Sequence, residues 1–307
     1  MAITGVLRPG FVQLRVLDMP ASIQHYVDRI GLDPVGEESD GRVYLKARNE
    51  FDHHSVVLRK ADQAGIDYVA FKVADDETLD DFEKRITAAG FTVEPVPAGE
   101  QPGIGRRIRF EIPSGHRIDL YAQADLAEKR PATLNPDIWD EEPHGMEARR
   151  FDHCLLYGPN IDAVEKFFCE VLGFSVTERV DLPDTGALAI WMTCSMKAHD
   201  IAFVRHPEPG KLHHVAFELE NWNDVGRAAD IITRYDISID IGPTRHGITQ
   251  GQTIYFFDPS GNRCEVYAGG TTFYPDNPVR KWNEKELGKG IFYYERALND
   301  RFLTVVT

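Results

Sequence analysis

His153, His214 and Glu265, three polar residues in the second half of the sequence, stand where the first half of an internal repeat has Gln13, Tyr68 and Asp119. Two imidazoles and one carboxylate suit Fe(II) and leave one face of the ion open to incoming ligands. A single carboxylate leaves such a site with net positive charge, so an anionic chelating ligand and dioxygen could share the open face. Any one strand histidine is more often a packed or surface residue than a ligand. These three stand out as a set, because the first half offers weaker donors at all three positions. A glutamine carbonyl is a weak neutral ligand, a tyrosine keeps its proton near neutrality, and an aspartate is shorter than a glutamate by a methylene.

The elements that must position these residues can be read from periodicity. Phe151 to Leu156 reads as a strand carrying His153, and His213-His214-Val215-Ala216-Phe217 as a strand carrying His214. Strand alternation places His213 and His214 on opposite faces, with His214 the inward one. The same rule turns Cys154 and Cys264 away from the metal and into packing. Glu265 opens the strand after the turn Asp258-Pro259-Ser260-Gly261. A helix is expected after Asn160 as N-cap, with Val164, Phe167, Phe168 and Val171 on one face and Gly173 as its stop. Another carries Val225, Ala228, Ala229 and Ile232. The first half reads the same way: a strand from Phe11, a helix from Pro20 to Gly31, a strand at 68–73, a helix with Leu79, Phe82 and Ile86, and paired strands around Pro113-Ser114-Gly115. The repeat is direct in places, since 112–121 matches 258–267 and 68–71 matches 214–217. The expected organisation is α+β, with four βαβββ modules in two units. One unit spans 1–122, a Pro-rich acidic connection follows at 123–150, the second unit spans 151–268, and a tail at 269–307 packs over it.

Composition bounds the rest. The chain has 307 residues, enough for two cores, and 42% of them are hydrophobic and 27% charged, as in globular proteins. The net charge of −15 argues against nucleic acid and anionic membrane as partners. No long apolar run and no leader-like segment is evident. The four cysteines form no Cys-x-x-Cys pair, so a cytoplasmic setting is expected.

One stretch is specific to a family. In 244–265, His246, Ile254-Tyr255, Asp258-Pro259, Gly261 and Glu265 fall at the spacing of the signature of the extradiol ring-cleavage dioxygenases. The modular repeat resembles the vicinal-oxygen-chelate fold of that family, whose paired modules curl into half-open barrels around a metal. The resemblance covers about residues 5–270 and implies His153, His214 and Glu265 as ligands of one Fe(II) per chain, in the second unit only. It implies His199 as the acid–base histidine, His246 as the group that hydrogen-bonds a substrate or intermediate oxygen, and Tyr255 as the tyrosine beside the ring-cleavage site. Looser matching places Ile248, Ile291 and Phe302 on the pocket wall. The implied activity is meta cleavage of catechol or substituted catechols with O2 to 2-hydroxymuconic semialdehyde, by a homotetramer. The alternatives are a 2,3-dihydroxybiphenyl-type dioxygenase, a glyoxalase-type isomerase, which usually needs a fourth protein ligand, and a metal-free binding protein of the same fold. His25, His53, His54, His116, His144 and His206 have no matching context.

Overall fold

The computed structural model describes residues 5–307. Strand–helix–strand–strand–strand recurs four times along it, and each pair of units builds one sheet, of eight strands in the first half and nine in the second. In the first sheet the central strand Val6–Val16 runs antiparallel to Gly65–Val73 and parallel to Val56–Lys60. In the second, Arg150–Gly158 runs antiparallel to Lys211–Glu218 and parallel to Ile201–Arg205. The fold is therefore the expected α+β arrangement of four βαβββ modules.

Hydrophobic faces explain how the helices close on the sheets. Asp76–Ala88 buries Leu79, Phe82 and Ile86, and Trp222–Arg234 buries Val225, Ala228 and Ile232, each one stripe of a 3.6-residue period. Trp222–Arg234 begins with a capping box between Asn221 and Asp224. Two helix expectations need correction. Asn160 occupies the N-cap of Ile161–Glu170 but in the left-handed region (φ +57°), where its side chain caps nothing and donates instead to the Pro113 carbonyl at 3.3 Å. The helix from Pro20 changes to π geometry over His25–Ile30 before Gly31 ends it. At Gly31, φ is +92° and a Cβ would lie 2.3 Å from the His144 carbonyl, so only glycine fits where the connecting segment crosses.

Strand register corrects the repeat alignment at one position. His214 pairs with Leu155 and Ala216 with His153, whereas Tyr68 pairs with Gln13 and Ala70 with Phe11. Since Tyr68 corresponds to His214 and Ala70 to Ala216, the first-half counterpart of His153 is Phe11, and Gln13 corresponds to Leu155. Matching Phe11 to Phe151 by sequence had slid this strand by two residues. A two-residue slip preserves the inward face, so alternation could not reveal it. The other two correspondences hold, because Ala70 pairs with Asp119 as Ala216 pairs with Glu265. The parallel strands give one more: Val12–Val56 matches Cys154–Ile201, which sets His54 at the place of His199.

After Gly269 the chain crosses the second sheet. Arg280–Trp282 adds a parallel edge strand, and the short helices Leu287–Ile291 and Asp300–Thr304 follow. Thr307 and Leu212 then exchange backbone hydrogen bonds of 2.8 and 3.0 Å. No helix among the described residues is long and apolar enough to cross a membrane.

Candidate metal centre and its cavity

Three strands of the second sheet carry the donor set to one point. His153 lies on Arg150–Gly158, His214 on Lys211–Glu218, and Glu265 on Arg263–Gly269. Their ligand atoms lie within 4.8 Å of one another, and all three side chains are buried. Glu265 Oε2 is 3.0 Å from His153 Nε2 and 3.1 Å from His214 Nε2. Thr253 Oγ1 donates to the other oxygen, Oε1.

The outer partners prepare each imidazole for a metal, which needs a bare ring nitrogen. His153 Nδ1 donates to Asp152 Oδ2 at 2.7 Å, which leaves Nε2 aimed at the centre. Lys197 Nζ holds Asp152 at 2.9 Å and Asp200 at 3.0 Å. Burial lowers the affinity of both imidazoles for a proton. For His153 the neighbouring carboxylates of Asp152 and Glu265 outweigh it and the pKa is raised to about 9. His214 shares only Glu265 and is lowered to about 4. Burial alone would raise Glu265, but His214 and His153 hold its carboxyl well below the usual range.

Around the centre stand the other residues singled out in the sequence. His199 is buried, packs on His153 with ring centroids 4.0 Å apart, and has an Nδ1 with no hydrogen-bond partner. Burial, then His153, lowers its pKa well below normal, so it is neutral. His246 Nδ1 donates to the Ile291 carbonyl, which fixes the proton there and leaves Nε2 to accept from Tyr255 Oη at 2.9 Å. That Nε2 is 3.6 Å from Glu265 Oε1. Burial and the nearby Glu265 raise Tyr255 well above the ordinary phenol value, so it keeps the proton it donates.

All six residues face one cavity of about 320 Å³. Its walls are otherwise apolar, with Leu155, Trp191, Ile248, Ile291, Leu298 and Phe302 among them. The tail supplies the cover: Phe302 packs against Tyr255 at 5.0 Å and against Phe292 at 4.7 Å. A donor triad with one face turned to an apolar, partly roofed space can hold a cation and present it to a planar organic ligand.

His213, which sequence reasoning turned outward, and Asp152, which it did not single out, belong here. A β-bulge between Leu212 and His214 cancels the alternation, so His213 does not point away. Its Nδ1 lies 2.7 Å from His214 Nδ1, and its ring stacks on Tyr157 at 4.8 Å. Asp152 likewise turns to its neighbour's ring. No periodicity signals either, although the Asp-His and His-His doublets are visible in the sequence.

The first half shows the same point filled differently. The counterparts of the triad are Phe11, Tyr68 and Asp119, and the Arg107 guanidinium lies among them. It is 5.7 Å from the Phe11 ring centroid, 5.8 Å from that of Tyr68, and 3.1 Å from Asp119 Oδ2. Arg109 makes a bidentate pair with the same carboxylate at 2.7 and 2.9 Å.

Comparison with known proteins agrees with this architecture. Residues 66–125 match the catechol 2,3-dioxygenase-like N-terminal domain, and residues 150–266 match the glyoxalase/bleomycin resistance protein/dioxygenase superfamily. Fold and donor set together thus define a metal-dependent member of the vicinal-oxygen-chelate class. Over 304 residues the sequence is 52% identical to the metapyrocatechase of Pseudomonas sp. (strain CF600), covering 99% of each chain. It is 31% identical to the manganese-dependent 2,3-dihydroxybiphenyl 1,2-dioxygenase of Geobacillus genomosp. 3, covering 93% of this chain and 92% of that one. Among solved structures, the 2,3-dioxygenase LapB from Pseudomonas sp. KL28 superposes with a TM-score of 0.89 at 49% identity, over 92% of this chain and 99% of that one. Homoprotocatechuate 2,3-dioxygenase from Brevibacterium fuscum, in complex with 3,4-dihydroxyphenylacetate, gives 0.88 at 28% identity, over 100% and 95%. The chain belongs to the extradiol ring-cleavage dioxygenase family that includes the metapyrocatechases.

Proposed function

We propose that this protein cleaves catechol, or ring-substituted catechols, next to the diol with dioxygen, and that catechol yields 2-hydroxymuconic semialdehyde. The observation that carries the proposal is the triad of His153, His214 and Glu265 opening into an apolar cavity that His199, His246 and Tyr255 also face. The higher identity to a metapyrocatechase than to a biphenyl-diol enzyme favours the smaller diol. The three donors hold one Fe(II) per chain in this proposal. Two nitrogens and a carboxylate with an open face fit a divalent ion of this kind, and a relative named as manganese-dependent makes the metal the quantity to measure. A ferrous ion held there by His153, His214 and Glu265 would supply the redox chemistry between diol and dioxygen. Both oxygen atoms end in the product, so no outside reductant is consumed.

The chain's own residues do the rest. His199, neutral and with a free buried nitrogen, takes and returns the proton that the diol loses and the ring-opening steps require. His246, oriented by the Ile291 carbonyl, stands beside the open face, where its bare Nε2 accepts from a substrate hydroxyl in place of the Tyr255 hydroxyl. Ile248, Ile291 and Phe302 pack the ring and keep bulk water from the reacting oxygen. The unit spanning 1–122 carries no metal in this proposal and supports the second unit. A homotetramer belongs to the same proposal, and sedimentation equilibrium measures it.

The deciding experiment is anaerobic loading with Fe(II), followed by catechol and air. Yellow product and one O2 consumed per catechol are expected. Bound iron with neither would refute the activity.

A further inference from the structure

We propose that His213 is a positioning residue: it fixes the tautomer of His214 and ties the metal centre to the last turn of the chain. The inference rests on the metal site proposed above. His213 Nε2 lies 2.8 Å from the Phe302 carbonyl oxygen. A carbonyl can only accept, so His213 carries its proton on Nε2 and its Nδ1 is bare. That bare Nδ1 faces His214 Nδ1 at 2.7 Å, so the proton of His214 sits on Nδ1. His214 Nε2 is then bare and directed to the centre, 3.1 Å from Glu265 Oε2. Were the relay reversed, His214 would present an N–H to the metal and could not bind it.

The two histidine donors are thus oriented by different means. His153 has a carboxylate on its own strand, Asp152. His214 has a second imidazole, oriented in turn by a backbone group from the tail. That backbone group is held firmly. Asn299 Oδ1 accepts from the Phe302 amide at 2.7 Å and starts the helix Asp300–Thr304. Arg263, itself buried, donates to the His213 carbonyl at 3.2 Å, to Val305 at 2.8 Å and to Arg301 at 3.2 Å. Stacking on Tyr157 and an edge contact with the Phe302 ring at 4.6 Å leave the His213 ring one orientation. The bulge before His214 is what makes the relay possible, because regular alternation would put the rings on opposite faces.

The test compares the whole chain with His213→Leu, which keeps bulk but has no acceptor, and His213→Asn, whose amide oxygen can take the place of Nδ1. Native chain and His214→Ala are run beside them. Each is loaded anaerobically with Fe(II) and challenged with a ferrous-specific chelator, and the chelate colour gives the rate of iron loss. Thermal midpoints are recorded without metal. His213→Leu is expected to lose iron about 10–100-fold more readily, the usual effect of removing an outer partner, and its metal-free midpoint falls by an amount similar to that of His213→Asn, since neither variant keeps the donor to the Phe302 carbonyl. His213→Asn is expected to recover most of the iron retention. A Leu variant that keeps iron as well as native, or an Asn variant as poor as Leu, would overturn the relay. If the native chain holds no iron, or His214→Ala keeps it, the metal-site proposal itself fails and the relay fails with it.

Discussion

His199→Ala separates metal binding from chemistry. His199 is buried, its Nδ1 bonds to nothing, and its closest ring contact is His153 at 4.0 Å. Its removal therefore breaks no hydrogen bond at Nδ1 and leaves both outer partners of the triad, Asp152 and His213, in place. Iron content is expected to stay at the native value. Losing a positioned acid–base group costs roughly 10²–10⁴ in rate, equivalent to about 3–5 kcal/mol in the barrier. The cost belongs in kcat, since catechol binding depends on the metal and on the apolar wall. Steady-state oxygen uptake at saturating catechol, with iron assayed in the same samples, measures it. A kcat within threefold of native would remove His199 from the proton path. Loss of iron would make it a ligand or a brace for His153.

Other outcomes follow from particular side chains. The chain is expected to bind one iron, and His153→Ala combined with His214→Ala to bind none; two irons per native chain by plasma emission analysis would place a site in the first half. Ile248→Ala opens the wall beside the centre and is expected to raise kcat/KM for alkyl-substituted catechols relative to catechol by about tenfold, the scale of a methylene or two in a pocket; unchanged relative rates across a substituent series would exclude it from the wall. Glu50, whose carboxylate accepts from the Phe151 amide at 3.0 Å, gives a pH effect on stability. Burial raises its pKa from 4.5 to about 7, so between these values the folded chain holds more protons than the unfolded one and stability falls as pH rises. Glu50→Gln is expected to flatten that fall in urea-unfolding curves of the metal-free chain, and an unaltered slope would contradict it.

Much of this architecture is legible in the sequence because its signals are local. Leu79, Phe82 and Ile86 declare a helix face, and Asp258 to Gly261 declares a turn. The convergence of His153, His214 and Glu265 is legible because a duplicated chain supplies its own reference, which holds at two of the three positions. What escaped depends on backbone irregularity. A bulge before His214 reverses where His213 points, and a two-residue slip at Phe11 leaves every side chain on its original face. The left-handed backbone at Asn160 turns a good capping residue into a tether for Pro113. Each shift is set by pairing partners far away in sequence, which a window of a dozen residues does not contain.

Arg107 has a consequence for how the two halves endure metal starvation. In the first half the buried acid Asp119 is neutralised by guanidinium groups that are covalently part of the chain. In the second, Glu265 without a metal has only imidazoles and a hydroxyl beside it, and the positive charge is a proton on His153, whose pKa is raised to about 9. One half therefore carries a permanent counter-ion, while the other carries a titratable one that a bound cation would replace. Without a cation the charge balance of the second half depends on pH and that of the first does not, so the two halves of the duplication differ in how long their charge stays balanced as well as in what fills the same point.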